Sequence, residues 1–267
     1  MQANEKSQEF KLPDSTEILQ TALEQSAFDI NCTAEDFLKN ENVVVPFRLG
    51  KNARKYLKKP IIANLVSYEN NVVASVTSEV KTIISEYINK YEFFHLFETP
   101  NMNVLSEKLS AVGCKICFMA EFYLPDVKKI NEIHCDYNLK ILEQKDFKNL
   151  YLPEWHNALC KNRKKLDVLG VAAYDGEKQI ALAGASADCE KMWQIGVDVL
   201  PEYRKKGIAS AITSKLALEI FKRGKIPFYC SAWSNICSAR TAIKSGFVPT
   251  WIEMTVKTSD FVDKMNV

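Results

Sequence analysis

The sequence is poor in histidine, in long apolar runs and in net charge. Its 267 residues include only three histidines, His95, His134 and His156, and no two of them have the spacing of a metal site. No apolar run approaches the roughly 20 residues that a membrane span needs. The formal net charge is +2 at pH 7, so any functional basicity must be local. These absences predict a protein without a metal site, a membrane span or a nucleic-acid partner.

Targeting and redox signals are also scarce. The N-terminal residues 1–6 are polar, and no signal-peptide hydrophobic segment follows them. Eight cysteines are scattered mostly among apolar neighbours, and the single Cys-x-x-Cys, Cys114 to Cys117, lacks the second pair that a zinc site needs. Reduced, buried thiols are typical of a cytosolic protein. We therefore expect a cytoplasmic globular chain, long enough for one large or two ordinary domains.

The second half of the chain alternates strand and helix signals. From residue 137 to 256 the predicted order is β–α–β–β–β–α–β–α–β. Asp175-Gly176 predicts a tight hairpin between two of these strands, and residues 154–165 are predicted to be helical. The first half shows a weaker form of the same order: a hairpin, a helix, a strand, a helix and a strand. The first strand after the hairpin is predicted at 93–97. A degenerate internal duplication would explain the similarity.

A charged and polar stretch at 125–135 separates the two halves. It predicts a smaller N-terminal α/β domain over residues 1–130 and a second domain over residues 135–267. The fold class expected for the whole chain is α/β with mixed sheets, because the helices alternate with both hairpin and crossover strand connections.

The clearest functional signal lies at 193–223. A strand ends at Pro201, a short basic loop follows, and an apolar helix begins just after Gly207. The N-terminus of a helix presents unpaired N–H groups and the positive end of the helix dipole. Arg204, Lys205 and Lys206 add positive charge to the loop. This arrangement predicts a binding site for a phosphate or pyrophosphate group.

Residues 137–257 resemble the GNAT superfamily of acyl-CoA-dependent N-acetyltransferases. The resemblance is found in the pattern Val197-x-Val199-x-Pro201-x-x-Arg204-x-x-Gly207-x-Ala209, followed by Asn235-x-x-Ser238 and Gly246-Phe247. It implies a GNAT fold for the second half, with acetyl-CoA as co-substrate. The first half would then be a degenerate GNAT copy without the glycine loop.

The resemblance also implies which residues bind the co-substrate. Backbone groups of Val197 and Val199 would contact the pantetheine arm, which Asn235 would also bind from the start of the next helix. The backbone amides from Lys205 to Ser210 would hold the pyrophosphate. The expected set is Val197, Val199, Arg204, Lys205, Lys206, Gly207, Ile208, Ala209, Ser210, Asn235 and Ser238.

The catalytic groups are less clear, because GNAT enzymes often place a tyrosine seven residues after the asparagine and this chain has Ala242 there. Tyr229 and Ser238 are alternative proton donors; otherwise the thiolate leaves without one, or the protein does not turn over. Asp198 is a candidate general base. Its alternative role is structural, as a carboxylate bonded to neighbouring loop amides.

Three functions remain open at this point. The first is an N-acetyltransferase that moves an acetyl group from acetyl-CoA to a primary amine of a small molecule or peptide, by direct attack in a ternary complex. The second is a catalytically silent, CoA-binding regulatory protein. The third, a transferase with an aminoacyl-tRNA donor, is disfavoured by the near-neutral charge. The acceptor and the oligomeric state are not specified by the sequence.

Overall fold

Alternating apolar residues and turn signals divide the chain into strands and helices that combine in one mixed sheet. The computed structural model describes residues 11–58 and 61–266, and the polar stretch at 1–6 lies outside them. The strands are β1 (Val43–Pro46), β2 (Ala63–Ser67), β3 (Val73–Val76), β4 (Cys114–Pro125), β5 (Asn138–Glu143), β6 (Asp167–Asp175), β7 (Lys178–Ser186), β8 (Met192–Val199), β9 (Ile226–Ala232) and β10 (Phe247–Thr258). The α-helices are α1 (Ser15–Ile30), α2 (Lys81–Ile88), α3 (Thr99–Ser110), α4 (Ile208–Lys222), α5 (Ile236–Lys244) and α6 (Ser259–Met265).

Ten strands of the described chain form the sheet, in the order β1-β3-β2-β10-β4-β9-β8-β7-β6-β5. The β1–β3 and β8–β9 pairs are parallel, whereas the other neighbours are antiparallel. The mixed sheet with helices packed against it confirms the predicted α/β class.

The hairpin predicted at Asp175-Gly176 is present. Strands β6 and β7 pair antiparallel up to Asp175 and Lys178, and Gly176 takes φ +59° in the turn between them, a conformation that glycine adopts at little cost. The apolar side of α4 packs against β6, β7 and β8 through fully buried residues such as Ile212 and Leu216. This layer of helix on sheet forms the core of the second half.

Strands β4 and β10 join the two halves of the chain. They pair antiparallel from Cys114 and Thr258 at one end to Pro125 and Phe247 at the other, with two irregularities in register. On its other side β4 pairs with β9, and β10 pairs with β2. The sheet and the main apolar core therefore continue through both halves, and the proposed boundary between residues 130 and 135 stays a prediction.

A buried group of charges ties α1 to this part of the sheet. Arg54 donates through its backbone and Nε to Asp29 on α1, and through Nη2 to Glu253 on β10 at 2.5 Å. All three side chains are buried, and the guanidinium lies 5.4 Å from the ring centroid of Phe122 on β4. Burial raises the pKa of Asp29, and the charge of Arg54 opposes that rise. Removing the arginine would leave two buried carboxylates uncompensated.

Two predicted elements are wrong. Residues 93–97 form a short 3-10 helix at Phe93–His95 rather than a strand, because the segment folds back onto α2, where the Tyr87 hydroxyl donates to the Leu96 carbonyl. Residues 154–165 form no α-helix but two 3-10 turns, Pro153–Trp155 and Lys161–Arg163. The described residues between α2 and α3 thus contain no strand, and the internal duplication stays a prediction.

The physical reason for the second error is contact with the sheet. A Cβ atom at Gly184 would lie 2.0 Å from the Ala158 carbonyl oxygen, and one at Gly196 would lie 2.0 Å from the Asn157 carbonyl oxygen. The backbone at 157–158 therefore lies directly on β7 and β8. A helix, about 10 Å across with its side chains, does not fit so close to a sheet.

Asp167, the first residue of β6, makes the stability of the fold depend on pH. Its carboxylate is buried and accepts a hydrogen bond from the Cys160 N–H at 3.0 Å. Burial raises its pKa from 3.8 to about 6. Folding therefore favours the protonated form, and the native protein loses stability as the pH rises from about 4 to about 6.

We expect Asp167→Asn to remove this dependence, because the amide stays neutral and keeps an oxygen that can accept the same hydrogen bond. Near pH 7.5 the variant should gain roughly 1–3 kcal/mol in free energy of unfolding over the native protein. Below about pH 4 the gain should disappear. Urea unfolding at a series of pH values measures the difference, and a difference independent of pH would contradict the raised pKa.

Candidate functional site

The sheet opens between β8 and β9. These parallel strands pair from Met192 and Ile226 to Ile195 and Tyr229, whereas β8 continues to Val199 and β9 to Ala232. Each stays paired on its outer side, β8 with β7 and β9 with β4. The strands therefore separate beyond residues 195 and 229, and we call the space between 196–199 and 230–232 the wedge.

The two valines predicted to bind the co-substrate lie on the β8 side of the wedge. Ile195, just before the separation, is 1% exposed, whereas Val197 and Val199 are half-buried. Backbone N–H and C=O groups that point from this edge toward β9 have no strand to pair with. Such groups need another partner, and the amides of an extended ligand have the matching donors and acceptors.

The N-terminus of α4 lies beyond the end of β8. Gly207 is its N-cap and takes φ +82°, Lys205 takes φ +64°, and no side chain caps the helix. The first hydrogen bond into the helix runs from the Ala211 N–H to the Gly207 carbonyl at 3.1 Å, so the N–H groups of residues 208–210 precede it. A Cβ atom at Gly207 would meet no atom within 4 Å. The space beside the N-cap residue of α4 is therefore open.

The basic residues of the loop surround this helix end. Arg204, Lys205 and Lys206 are exposed. Arg204 donates through Nε to the Val199 carbonyl at 3.1 Å, which fixes the loop to the last residue of β8. The structure therefore brings the predicted loop, the two valines and the helix N-terminus together at one end of the wedge.

The remaining predicted residues lie on the β9 side. Asn235 caps α5, because its Oδ1 accepts a hydrogen bond from the Ser238 N–H at 3.1 Å. The Ser238 hydroxyl is 2.8 Å from the Tyr229 hydroxyl. Tyr229 is the last residue of β9 that pairs with β8. Burial raises the pKa of Tyr229, so its phenol is protonated at neutral pH. Ala242, by contrast, is fully buried in the core and offers no proton donor.

Asp198 faces away from α4, toward the segment at 157–158. Its two carboxylate oxygens accept three hydrogen bonds, from the Asn157 N–H at 2.8 Å, the Asn157 side-chain amide at 2.6 Å and the Ala158 N–H at 2.9 Å. This is the structural role that the sequence left open beside general-base catalysis. The carboxylate holds this segment where the glycines of β7 and β8 allow close contact.

Sequence reasoning missed the contribution of β4. Glu121 lies opposite Ser231 of β9, and Tyr123 lies opposite Tyr229, so side chains from the first half stand beside the wedge. No local pattern could have identified them, since the pairing joins residues far apart in the chain.

Two kinds of feature are absent from the parts of the chain that the structure describes, a cluster of metal ligands and a membrane-spanning helix. There, no group of three or more histidine, cysteine, aspartate or glutamate side chains is arranged to hold a metal ion. Among the same residues, no helix has the length and apolarity that a bilayer crossing requires.

Comparison with known proteins gives one extensive match. A family model described as GNAT acetyltransferase matches residues 49–250. No curated protein sequence matches the chain significantly.

Several solved structures are similar to parts of the chain. A GNAT-family protein from Novosphingobium aromaticivorans is 18% identical, with a TM-score of 0.41 over 54% of this chain and 66% of its own. A GCN5-related N-acetyltransferase-like protein from Streptococcus suis is also 18% identical, with a TM-score of 0.44 over 60% and 68%. A GNAT-family acetyltransferase from Colwellia psychrerythraea is 14% identical, with a TM-score of 0.46 over 92% and 99%. The chain spans about two thirds of the length of the first two.

We expect Asp198→Ala to cost about 2 kcal/mol in free energy of unfolding, because the substitution removes an ionised acceptor of three hydrogen bonds. Amide hydrogen exchange at Asn157 and Ala158 should accelerate, whereas exchange in α5 should not. Asp136→Asn, a change at an exposed carboxylate, is the control and should alter neither property. Unchanged stability and unchanged exchange in Asp198→Ala would contradict the structural role.

Proposed function

The chain belongs to the GNAT acetyltransferase family, and from this we propose that it transfers an acetyl group from acetyl-CoA to a primary amine. The observation that supports the proposal most directly is the wedge between β8 and β9 with the uncapped N-terminus of α4 beside it. It combines an anion site with an extended, unpaired strand edge. Acetyl-CoA has a pyrophosphate for the first and a chain of amides for the second.

In this proposal the donor binds along the path from the loop into the wedge. The N–H groups of residues 208–210 and the positive end of the α4 dipole bind the pyrophosphate. Arg204, Lys205 and Lys206 add positive charge around it. The pantetheine arm then pairs with the free edge of β8 at Val197 and Val199, while the head of α5 at Asn235 and Ser238 borders it from the other side.

The reaction is direct attack by the amine on the thioester. An ammonium group first loses a proton, and the neutral amine attacks the carbonyl carbon, so that a C–N bond forms and the C–S bond breaks. Backbone N–H groups on the β8 edge polarise the carbonyl oxygen. The second proton lost from nitrogen balances the one that the CoA thiolate gains. We propose that Tyr229, held by Ser238, donates to that thiolate.

Asp198 has a different part in this proposal. Three N–H groups already donate to its carboxylate, and these bonds would have to weaken before it could accept a proton from a substrate. We therefore assign Asp198 as a positioning residue that holds the 157–158 segment against β8, and not as the proton acceptor.

The acceptor that we propose is a primary amine on a small molecule or a peptide. We place the reaction in the cytoplasm, because the eight cysteines of the chain are all free thiols and reduced thiols are typical of that compartment. One observation favours a second function, a CoA-binding regulatory protein without turnover. The position where GNAT enzymes often have a tyrosine is here a buried alanine, Ala242.

We expect native protein to bind acetyl-CoA and CoA, and Ala209→Glu to weaken both by about tenfold or more, because a carboxylate then occupies the helix end that binds the pyrophosphate. The fold should be preserved, since an acidic residue suits the first turn of a helix. Isothermal titration calorimetry measures the affinities. Thr16→Glu, at the same position in the first turn of α1 and exposed, is the matched control.

Equal CoA affinity of native protein and Ala209→Glu would contradict the assigned donor site. CoA binding without acetylation of any amine in a broad panel would favour the regulatory function over the transferase.

A further inference from the structure

We propose that Glu121, on strand β4 of the first half, is the proton acceptor for the incoming amine, and that Tyr123 positions it. This inference rests on the function proposed above and deepens it, since it assigns the proton acceptor for the amine, a role that Asp198 does not fill. The acceptor is then an amine that arrives as an ammonium ion. It meets a carboxylate on β4, the strand that pairs with the outer side of β9.

The register of the sheet places Glu121 at the open part of the wedge. The last pair between β8 and β9 is Ile195 with Tyr229, and Ser231 lies two residues further along β9, or roughly 7 Å. Glu121 is the β4 partner of Ser231. The corresponding residue of β8, two beyond Ile195, is Val197, which is proposed to contact the donor.

The side chains also point to the same face of the sheet. Directly paired residues share a face, and alternate residues along a strand return to it. Glu121, Ser231 and Val197 therefore share the face on which Tyr229 and Ile195 lie. Asp198 occupies the opposite face and contacts the 157–158 segment. Of these two carboxylates, Glu121 is the one on the face of Tyr229, the proposed proton donor.

A hydrogen bond orients the Glu121 carboxylate and leaves it able to accept further hydrogen bonds. The Tyr123 hydroxyl donates to Glu121 Oε2 at 2.6 Å and is 3.1 Å from the Ser231 hydroxyl. Because the phenol has one proton and gives it to the glutamate, the serine is the donor in the second bond. Tyr123 and Ser231 are buried, whereas Glu121 is half-buried. A carboxylate with two oxygens can accept from the substrate as well as from Tyr123.

Two tyrosines lie on the same face of the sheet as Glu121. Tyr123 on its own strand donates to it, and the rings of Tyr123 and Tyr229 meet edge to face at 6.2 Å. The β10 partner of Glu121 is Ile252, and Val197 lies across the wedge. Burial, followed by the hydrogen bond to Glu121, raises the pKa of Tyr123 to about 12. Both phenols are therefore neutral where a glutamate titrates.

In the proposed step, the substrate R–NH₃⁺ gives one proton to Glu121. The resulting amine attacks the thioester carbon, and nitrogen loses a second proton as the amide forms. The CoA thiolate takes up one proton, and Glu121 releases the other to solvent. Two protons leave nitrogen and both are accounted for, so no further reactant is needed.

The deciding experiment follows the carboxyl ¹³C signals of glutamate by NMR in the full chain, with and without saturating acetyl-CoA. We expect acetyl-CoA to shift the amide signals of residues 208–210 and the carboxyl signal of Glu121, because the bound acyl group displaces water from the carboxylate. Y123F should shift the same carboxyl signal in the free protein, since the carboxylate loses the hydrogen bond from the Tyr123 hydroxyl. Glu177, in the β6–β7 hairpin, is the internal control and should not shift.

The outcomes separate this inference from the proposed function. If the amides of 208–210 respond and the carboxyl signal of Glu121 does not move, the assignment of Glu121 is overturned and the donor site stands. If those amides do not respond, the donor site fails and the inference fails with it.

A kinetic test uses 1-butylamine as acceptor. We expect E121Q to lower kcat by about 100-fold or more while CoA affinity stays within about twofold of native. The control E177Q should behave as native protein. Native kcat in E121Q would overturn the assignment.

Discussion

The pairing of β4 with β10 is the constraint on which the rest of the structure depends. It runs the full length of both strands, from Cys114 and Thr258 to Pro125 and Phe247, and it is made by segments from opposite halves of the chain. Strand β10 also pairs with β2, and the other edge of β4 pairs with β9. Without β4 the sheet would end at β9, and the wedge would have an exposed edge strand as its second wall.

The wedge can form because β8 and β9 each keep a paired strand on the side away from it. Strand β8 is held by β7 up to Val199, and β9 is held by β4 up to Ala232. The rotation between neighbouring strands of a twisted sheet can then separate them, while each keeps its ladder on the outer side. The cost is that backbone N–H and C=O groups on the edges of β8 and β9 facing the wedge have no strand to hydrogen-bond with. A ligand with amides removes that cost, which makes binding at this position favourable.

Close contacts fix the groups that lie on each face of the sheet beside the wedge. On one face, Gly184 and Gly196 let the backbone of 157–158 approach, and Asp198 fixes it there. On the other face, Glu121 is hydrogen-bonded to Tyr123, and Tyr229 to Ser238. The buried Arg54 joins α1 to β10 through Asp29 and Glu253, so the N-terminal helix supports the strand that positions β4.

The sequence by itself determined the features that need only neighbouring residues. The strand to Val199, the loop with Gly207 and the start of α4 are contiguous, and a helix end exposes its amides whatever surrounds it. The same holds for the β6–β7 hairpin and for Asn235 as a cap. Tertiary structure alone decided that β4 lies beside β9 and brings Glu121 and Tyr123 near the wedge. It also decided that Asp198 binds the backbone at 157–158, where the sequence predicts a helix. Strand order and register are set by packing between distant segments, and such contacts leave no periodic signal in the chain.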